Sequence, residues 1–128
     1  MGLAYKIHHV HKLDDLMDHV IYEANHDIGG TWLVNTYPGV ACDVPAHLYT
    51  FPFEPNPDWS AYYASGGEIQ QYFKRTVAKY DLARNVKCGH RVERAEFDAE
   101  QGQWRVSVSV GLRMHTVLSE LTMPGPSR

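Results

Sequence analysis

An α/β fold is what this sequence predicts, and three observations carry that expectation. Residues 19–23 (His-Val-Ile-Tyr-Glu) form a short apolar run that ends in a carboxylate, with a glycine pair, Gly29 and Gly30, close behind it. Ser65-Gly-Gly-Glu68 is a capping pattern that opens an amphipathic helix. Two further segments alternate apolar and polar residues across a short polar connection, as a hairpin does.

Taken in order, residues 3–16 predict a helix, with Leu3, Ile7 and Val10 spaced for one apolar face. Residues 19–23 predict a strand of a parallel sheet. Residues 25–59 carry Pro, Gly and aromatics with little periodicity, and a stretch of that length in a compact domain is usually functional or disordered. Its aromatic content argues against disorder. After the capping pattern, Ile69, Tyr72, Phe73, Thr76, Val77 and Tyr80 fall on one helical face. Residues 85–97 and 103–110 predict strands joined by residues 98–102. In the second, Trp104, Val106, Val108 and Val110 point inward and Arg105, Ser107 and Ser109 outward.

Composition excludes several classes of function. A net charge of −3 over 128 residues gives no electrostatic footprint for nucleic acid or for an anionic membrane. No apolar run is long enough to span a bilayer. The first residues lack the apolar core of a secretory signal, and Lys6 stands where a myristoylation motif wants Ser or Thr. Two cysteines, Cys42 and Cys88, are too few for a disulfide scaffold, so a reducing cytoplasmic setting is expected.

The strand, its terminal acid and the glycines have chemical meaning together. At the end of such a strand, Glu23 can accept hydrogen bonds from ribose hydroxyls. Small residues such as Gly30 let backbone amides approach a cofactor closely. Cys42 has no His/Asn pattern to make it a nucleophile and reads as a small buried residue beside Asp43. His8, His9 and His11 offer only one pair at helical spacing and no completing ligand, so no metal is expected.

The order Gly30-x-Trp32, Tyr37-Pro38-Gly39 and Asp43 resembles the signature of the flavin-dependent Baeyer–Villiger monooxygenases, within the flavin-containing monooxygenases. The resemblance runs from about residue 4 to about residue 110. It implies a partial Rossmann-like FAD-binding domain with an added helix and β-hairpin, lacking its first strand and the complete Gly-x-Gly-x-x-Gly turn. Residues 1–110 would form that domain, and residues 111–128 a divergent, loose tail. The implied cofactors are FAD and NADP(H). The implied reaction uses O2 to oxygenate a small ketone or soft nucleophile through a C4a-peroxyflavin, without nucleic acid or membrane partners. Glu23, Gly30, Thr31, Trp32, Leu33, Val34, Cys42, Asp43, Tyr49 and Val92 would line the cofactor. Asp43 would be catalytic, with a turn cap before Pro45 as its alternative, and Val92 would contribute its backbone. A chain of this extent is expected to be a fragment, inactive alone. The alternatives are a truncated remnant and an isolated nucleotide-binding module.

Overall fold

The computed structural model describes residues 1–111 and 113–120. The order of elements is α1 (Gly2–Tyr5), a π-helical turn (Lys6–Val10), β1 (Ile21–Tyr22), α2 (Thr31–Val34), a 3-10 turn (Ala46–Leu48), α3 (Gly66–Lys79), β2 (Val86–Lys87), β3 (His90–Asp98), β4 (Gln103–Val110) and β5 (Arg113–Glu120). Two compact units result. The first holds Met1–Ile21 and Asp27–Val86, and the second Tyr22–His26 with the chain from Lys87 on.

In the first unit, α3 follows the expected pattern. Ser65 is its N-cap, and its hydroxyl accepts from the Glu68 amide at 3.3 Å. Only half of the capping box forms. The Glu68 carboxylate turns to Ser60 instead, accepting from its amide at 2.9 Å and its hydroxyl at 2.7 Å. Those bonds, the amide first, hold the Glu68 carboxyl below its ordinary pKa. Ile69, Tyr72, Thr76 and Val77 are buried, as the spacing requires.

Ile69 and Tyr72 join Cys42, Ala46, Trp59 and Ala64 in one apolar cluster, with Trp32, Tyr49, Phe51 and Phe73 against it. Each large side chain removed from water in this way contributes about 1.5–3 kcal/mol. Tyr72 also ties down the long connection, since its hydroxyl accepts from the Phe51 amide at 2.8 Å and donates to the Glu54 carbonyl at 2.7 Å. Residues 25–59 are therefore irregular but held, with only the single turns of α2 and the 3-10 segment as regular structure.

The N-terminal helix is shorter than the sequence predicts. Regular α-helix stops at Tyr5, the π-turn widens the next five residues, and Lys12 reaches φ +51. The wider turn changes which side chains share a face. Ala4 and Ile7 are buried, while Leu3 and Val10 stand exposed. Histidines at 8, 9 and 11 and the acids at 14 and 15 give weak helix support beyond this point.

The expected strand at 19–23 pairs regularly only at Ile21–Tyr22. The Ile21 amide donates to the Asn85 carbonyl at 2.9 Å and the Glu23 amide to the Lys87 carbonyl at 3.0 Å. Both partners advance by two residues in the same sense, so β1 and β2 run parallel, with α2 and α3 in the crossover between them.

In the second unit, β3, β4 and β5 form an antiparallel sheet in that order. Asp98 closes the β3–β4 turn by accepting from the Glu100 and Gln101 amides, both at 3.1 Å. Gly102 completes that turn at φ +66, which side chains disfavour. The inward alternation expected of β4 holds only in part. Val108 is buried, but Trp104 is over a third exposed and meets Phe97 at 5.5 Å between ring centroids. The loose tail expected after residue 110 is also corrected. Arg113–Glu120 pairs with β4 along its length, from Val110↔Arg113 to Gln103↔Glu120. The rest of that expected tail, residues 121–128, lies outside the described residues.

Candidate functional site

The first unit places the glycine turn against the start of α2. Gly29 and Gly30 adopt φ +135 and +53, conformations that side chains rarely take. Gly30 is the N-cap of α2, and a Cβ there would meet nothing within 4 Å. The turn is closed by the Trp32 amide on the Gly29 carbonyl and the Leu33 amide on the Gly30 carbonyl, both at 3.1 Å. Among the described residues, the amides of Gly30 and Thr31 donate to no protein acceptor. Thr31 is exposed, Trp32 and Leu33 are half-buried, and Val34 is exposed.

The Trp32 side chain is fixed by Tyr49. Indole Nε1 donates to the tyrosine oxygen at 3.1 Å, and the rings meet edge to face at 5.5 Å. Trp32, Leu33, Asn35, Thr36, Val40 and Gln70 line most of a cleft of about 380 Å³ beside the turn. The Gln70 Oε1 atom is buried and accepts no protein hydrogen bond.

Asp43 lies on a pinned loop. Before it, the Cys42 amide donates to the Ala64 carbonyl at 3.0 Å, and after it the Ala46 amide donates to Tyr62 at 2.8 Å. Cys42 is buried, as a small core residue should be. The Asp43 carboxylate is exposed and takes part in no hydrogen bond or ion pair among the described residues. A capping aspartate would accept from a nearby amide, and this one accepts from none.

Glu23 and Val92 belong to the second unit. Glu23 Oε1 accepts from both the amide and the side-chain nitrogen of Asn25, each at 2.8 Å. Val92 sits on β3, paired with Val108 beside a register shift, and its side chain is about half exposed. The structure thus gathers Gly30, Thr31, Trp32, Leu33, Val34, Cys42, Asp43 and Tyr49 into one unit, with Trp32, Cys42 and Tyr49 on one apolar cluster.

Sequence reasoning missed two residues here. Asn25 fixes one oxygen of Glu23, and Gln70 reaches the glycine turn from α3 with a 2.6 Å bond to the Ile28 carbonyl. Two of the N-terminal histidines have protein partners. His8 meets Asp14 and Arg84, and His9 bonds the Tyr80 carbonyl at 2.8 Å. Burial lowers the pKa of His19, whose ring lies 4.9 Å from that of His8.

This chain belongs to the NAD(P)-binding Rossmann-like domain family, whose model matches residues 2–65. It is 50% identical over 108 residues to the FAD-binding monooxygenase tazF of Aspergillus terreus, a match that takes in 84% of this chain and 19% of that protein. It is 34% identical over 124 residues to a Baeyer-Villiger monooxygenase of Streptomyces coelicolor, covering 97% of this chain and 23% of the relative. An oxidized steroid monooxygenase bound to NADP superposes with a TM-score of 0.70 and 32% identity, over 84% of this chain and 21% of that one. The mixed helix-and-sheet fold is that of part of the Rossmann-like FAD-binding domain of flavin monooxygenases. The chain spans about a fifth of the length of the curated relatives it matches. No helix among the described residues is long and apolar enough to cross a membrane.

Proposed function

We propose that residues 1–110 are the FAD-facing segment of an FAD- and NADP(H)-dependent monooxygenase of the Baeyer–Villiger type, with Asp43 as its catalytic carboxylate. The observation that carries this reading is the state of Asp43, a charge on a pinned loop that serves no bond of the fold. A carboxylate carried on a pinned loop and spent on no bond of the fold is open to a ligand. The names of the relatives, FAD-binding, Baeyer-Villiger and NADP-bound, support the same reading. The substrate would be a small molecule taken with O2 in the cytoplasm, without nucleic acid or membrane.

The residues present fit FAD. Gly30 leaves open space beside unspent amides, and a cleft lined by Trp32 and Leu33 lies next to them. When bound, FAD supplies the redox and oxygen chemistry. Glu23 would accept from ribose hydroxyls, its orientation set by Asn25. Gly30 and Thr31 would present their amides, and Val92 its backbone. Trp32, held by Tyr49, would form an apolar wall with Leu33 and Val34, and Cys42 would pack behind Asp43. Asp43 would set the local field and orient donors around the reacting ring.

A chimera tests this directly. Residues 4–110 replace the matching segment of the Streptomyces coelicolor relative, and FAD content is measured after gel filtration. Retained FAD that is lost on Glu23→Ala supports the reading. A folded chimera that holds no FAD, or holds it regardless of Glu23, contradicts it.

A further inference from the structure

Helix α3 grips the glycine turn at two points one helical turn apart. Gln70 Nε2 donates to the Ile28 carbonyl at 2.6 Å. Lys74, four residues on, forms an ion pair with Asp27, whose other oxygen accepts from the Ile28 amide at 2.7 Å. Residues spaced by four share a helix face, so one face of α3 meets residues 27–29.

The contact at Gly29 is closer still. A Cβ built there would lie 1.9 Å from Gln70 Oε1 and 2.5 Å from the carboxamide carbon and nitrogen. The space a side chain would take is filled by the Gln70 amide. Gly29 also stands at φ +135, so the turn and the carboxamide specify each other. The neighbouring Gly30 has no such contact, which leaves its surface open.

From this geometry we infer that Gln70 is a positioning residue: it holds the Gly29–Gly30 turn in the conformation that presents the Gly30 and Thr31 amides to a bound flavin. The hydrogen bond to Ile28 fixes the approach to the turn, and the packed carboxamide fixes its φ. The ion pair of Lys74 is half-exposed and adds little, since such pairs contribute weakly in water. The role of the turn toward flavin rests on the proposed function. The grip itself rests only on this chain's contacts.

The test is amide hydrogen exchange on the 128-residue chain, with and without millimolar FAD. Gln70→Leu keeps bulk but removes the donor. It should speed exchange across residues 27–34 by roughly tenfold, as loss of one bond from a local opening equilibrium does. Exchange in β3 and β4 should stay as it was. FAD should slow exchange in that segment of the wild type, and this protection should vanish in Gln70→Leu. Should Gln70→Leu fail to fold, Gln70→Glu decides instead: it keeps the size and polarity of the side chain but loses the Nε2 donor to the Ile28 carbonyl, and it should give the same local speeding. Unchanged exchange in both variants overturns the inference. Faster exchange with FAD protection intact also overturns it, because the contact would then serve the fold alone. A grip that loosens as expected in a chain that FAD never protects upholds the contact but contradicts the flavin reading on which its role rests.

Discussion

Trp32 and Tyr49 are joined twice, by a 3.1 Å bond from indole Nε1 to the tyrosine oxygen and by edge-to-face contact of the rings at 5.5 Å. Tyr49 lies seventeen positions after Trp32 in the chain. Both pack against the cluster that α3 completes, so the orientation of the proposed flavin wall depends on the core. Tyr49→Phe removes the acceptor and should cost about 1 kcal/mol of stability. A denaturant double-mutant cycle with Trp32→Phe should return a coupling of about 0.5–1.5 kcal/mol. Additive effects would show that the two side chains are independent.

Gly66 and Gly67 stand side by side in the first turn of α3 and should answer alanine in opposite ways. A Cβ on Gly67 meets nothing within 4 Å, so Gly67→Ala should stabilise the helix by up to about 1 kcal/mol. A Cβ on Gly66 would come to 3.0 Å from Val40 Cγ1 and 3.3 Å from Trp32 Cε3. Both contacts belong to packed groups, so Gly66→Ala should lose that gain and destabilise. Equal melting shifts for the two variants would refute the contact.

Ser65 caps α3, and Ser65→Ala should cost about 1 kcal/mol, read from the denaturation midpoint. Glu68→Gln should cost less, because its carboxylate bonds the exposed Ser60 and not the helix end. The reverse ranking would mean that the full capping box forms in solution.

Much of this was legible in the sequence. The spacing of Ile69, Tyr72, Thr76 and Val77 defined the buried face of α3, and the run of alternating residues at 103–110 defined β4. The π-turn at Lys6–Val10 was not legible, because Leu3, Ile7 and Val10 fit a regular helix equally well. The β5 strand escaped because its partner strand, and not its own composition, makes it a strand. In the candidate site, the residues of the glycine–Trp–Asp pattern were the ones the sequence could propose. Gln70 and Asn25 could not, since their roles are contacts to Ile28 and Glu23 that no periodicity encodes.

Lys79, then Tyr80, bond the Glu54 carboxylate and hold its pKa below the ordinary glutamate value. A depressed carboxylate stabilises the fold above its unfolded pKa of about 4.3, and that contribution is lost as pH falls through the lower folded value. Wild type should therefore lose melting temperature below this pH more steeply than Glu54→Gln. Salt should narrow the difference, because the Lys79 end of the pair is exposed. Parallel acid profiles would exclude Glu54 as a contributor.

The carboxylate of Asp43 is the proposed catalytic group. In the chimera, Asp43→Ala should leave FAD bound and the melt unchanged, since that side chain serves no bond of the fold. The measurement is product formed per NADPH consumed, taken alongside the melting temperature. A sharp fall in yield, with NADPH oxidation diverted to peroxide and the melt unmoved, is the result expected. Unchanged yield with a melt lowered by the loss of a capping side chain, about 1 kcal/mol, would contradict it and make Asp43 a residue of the turn alone.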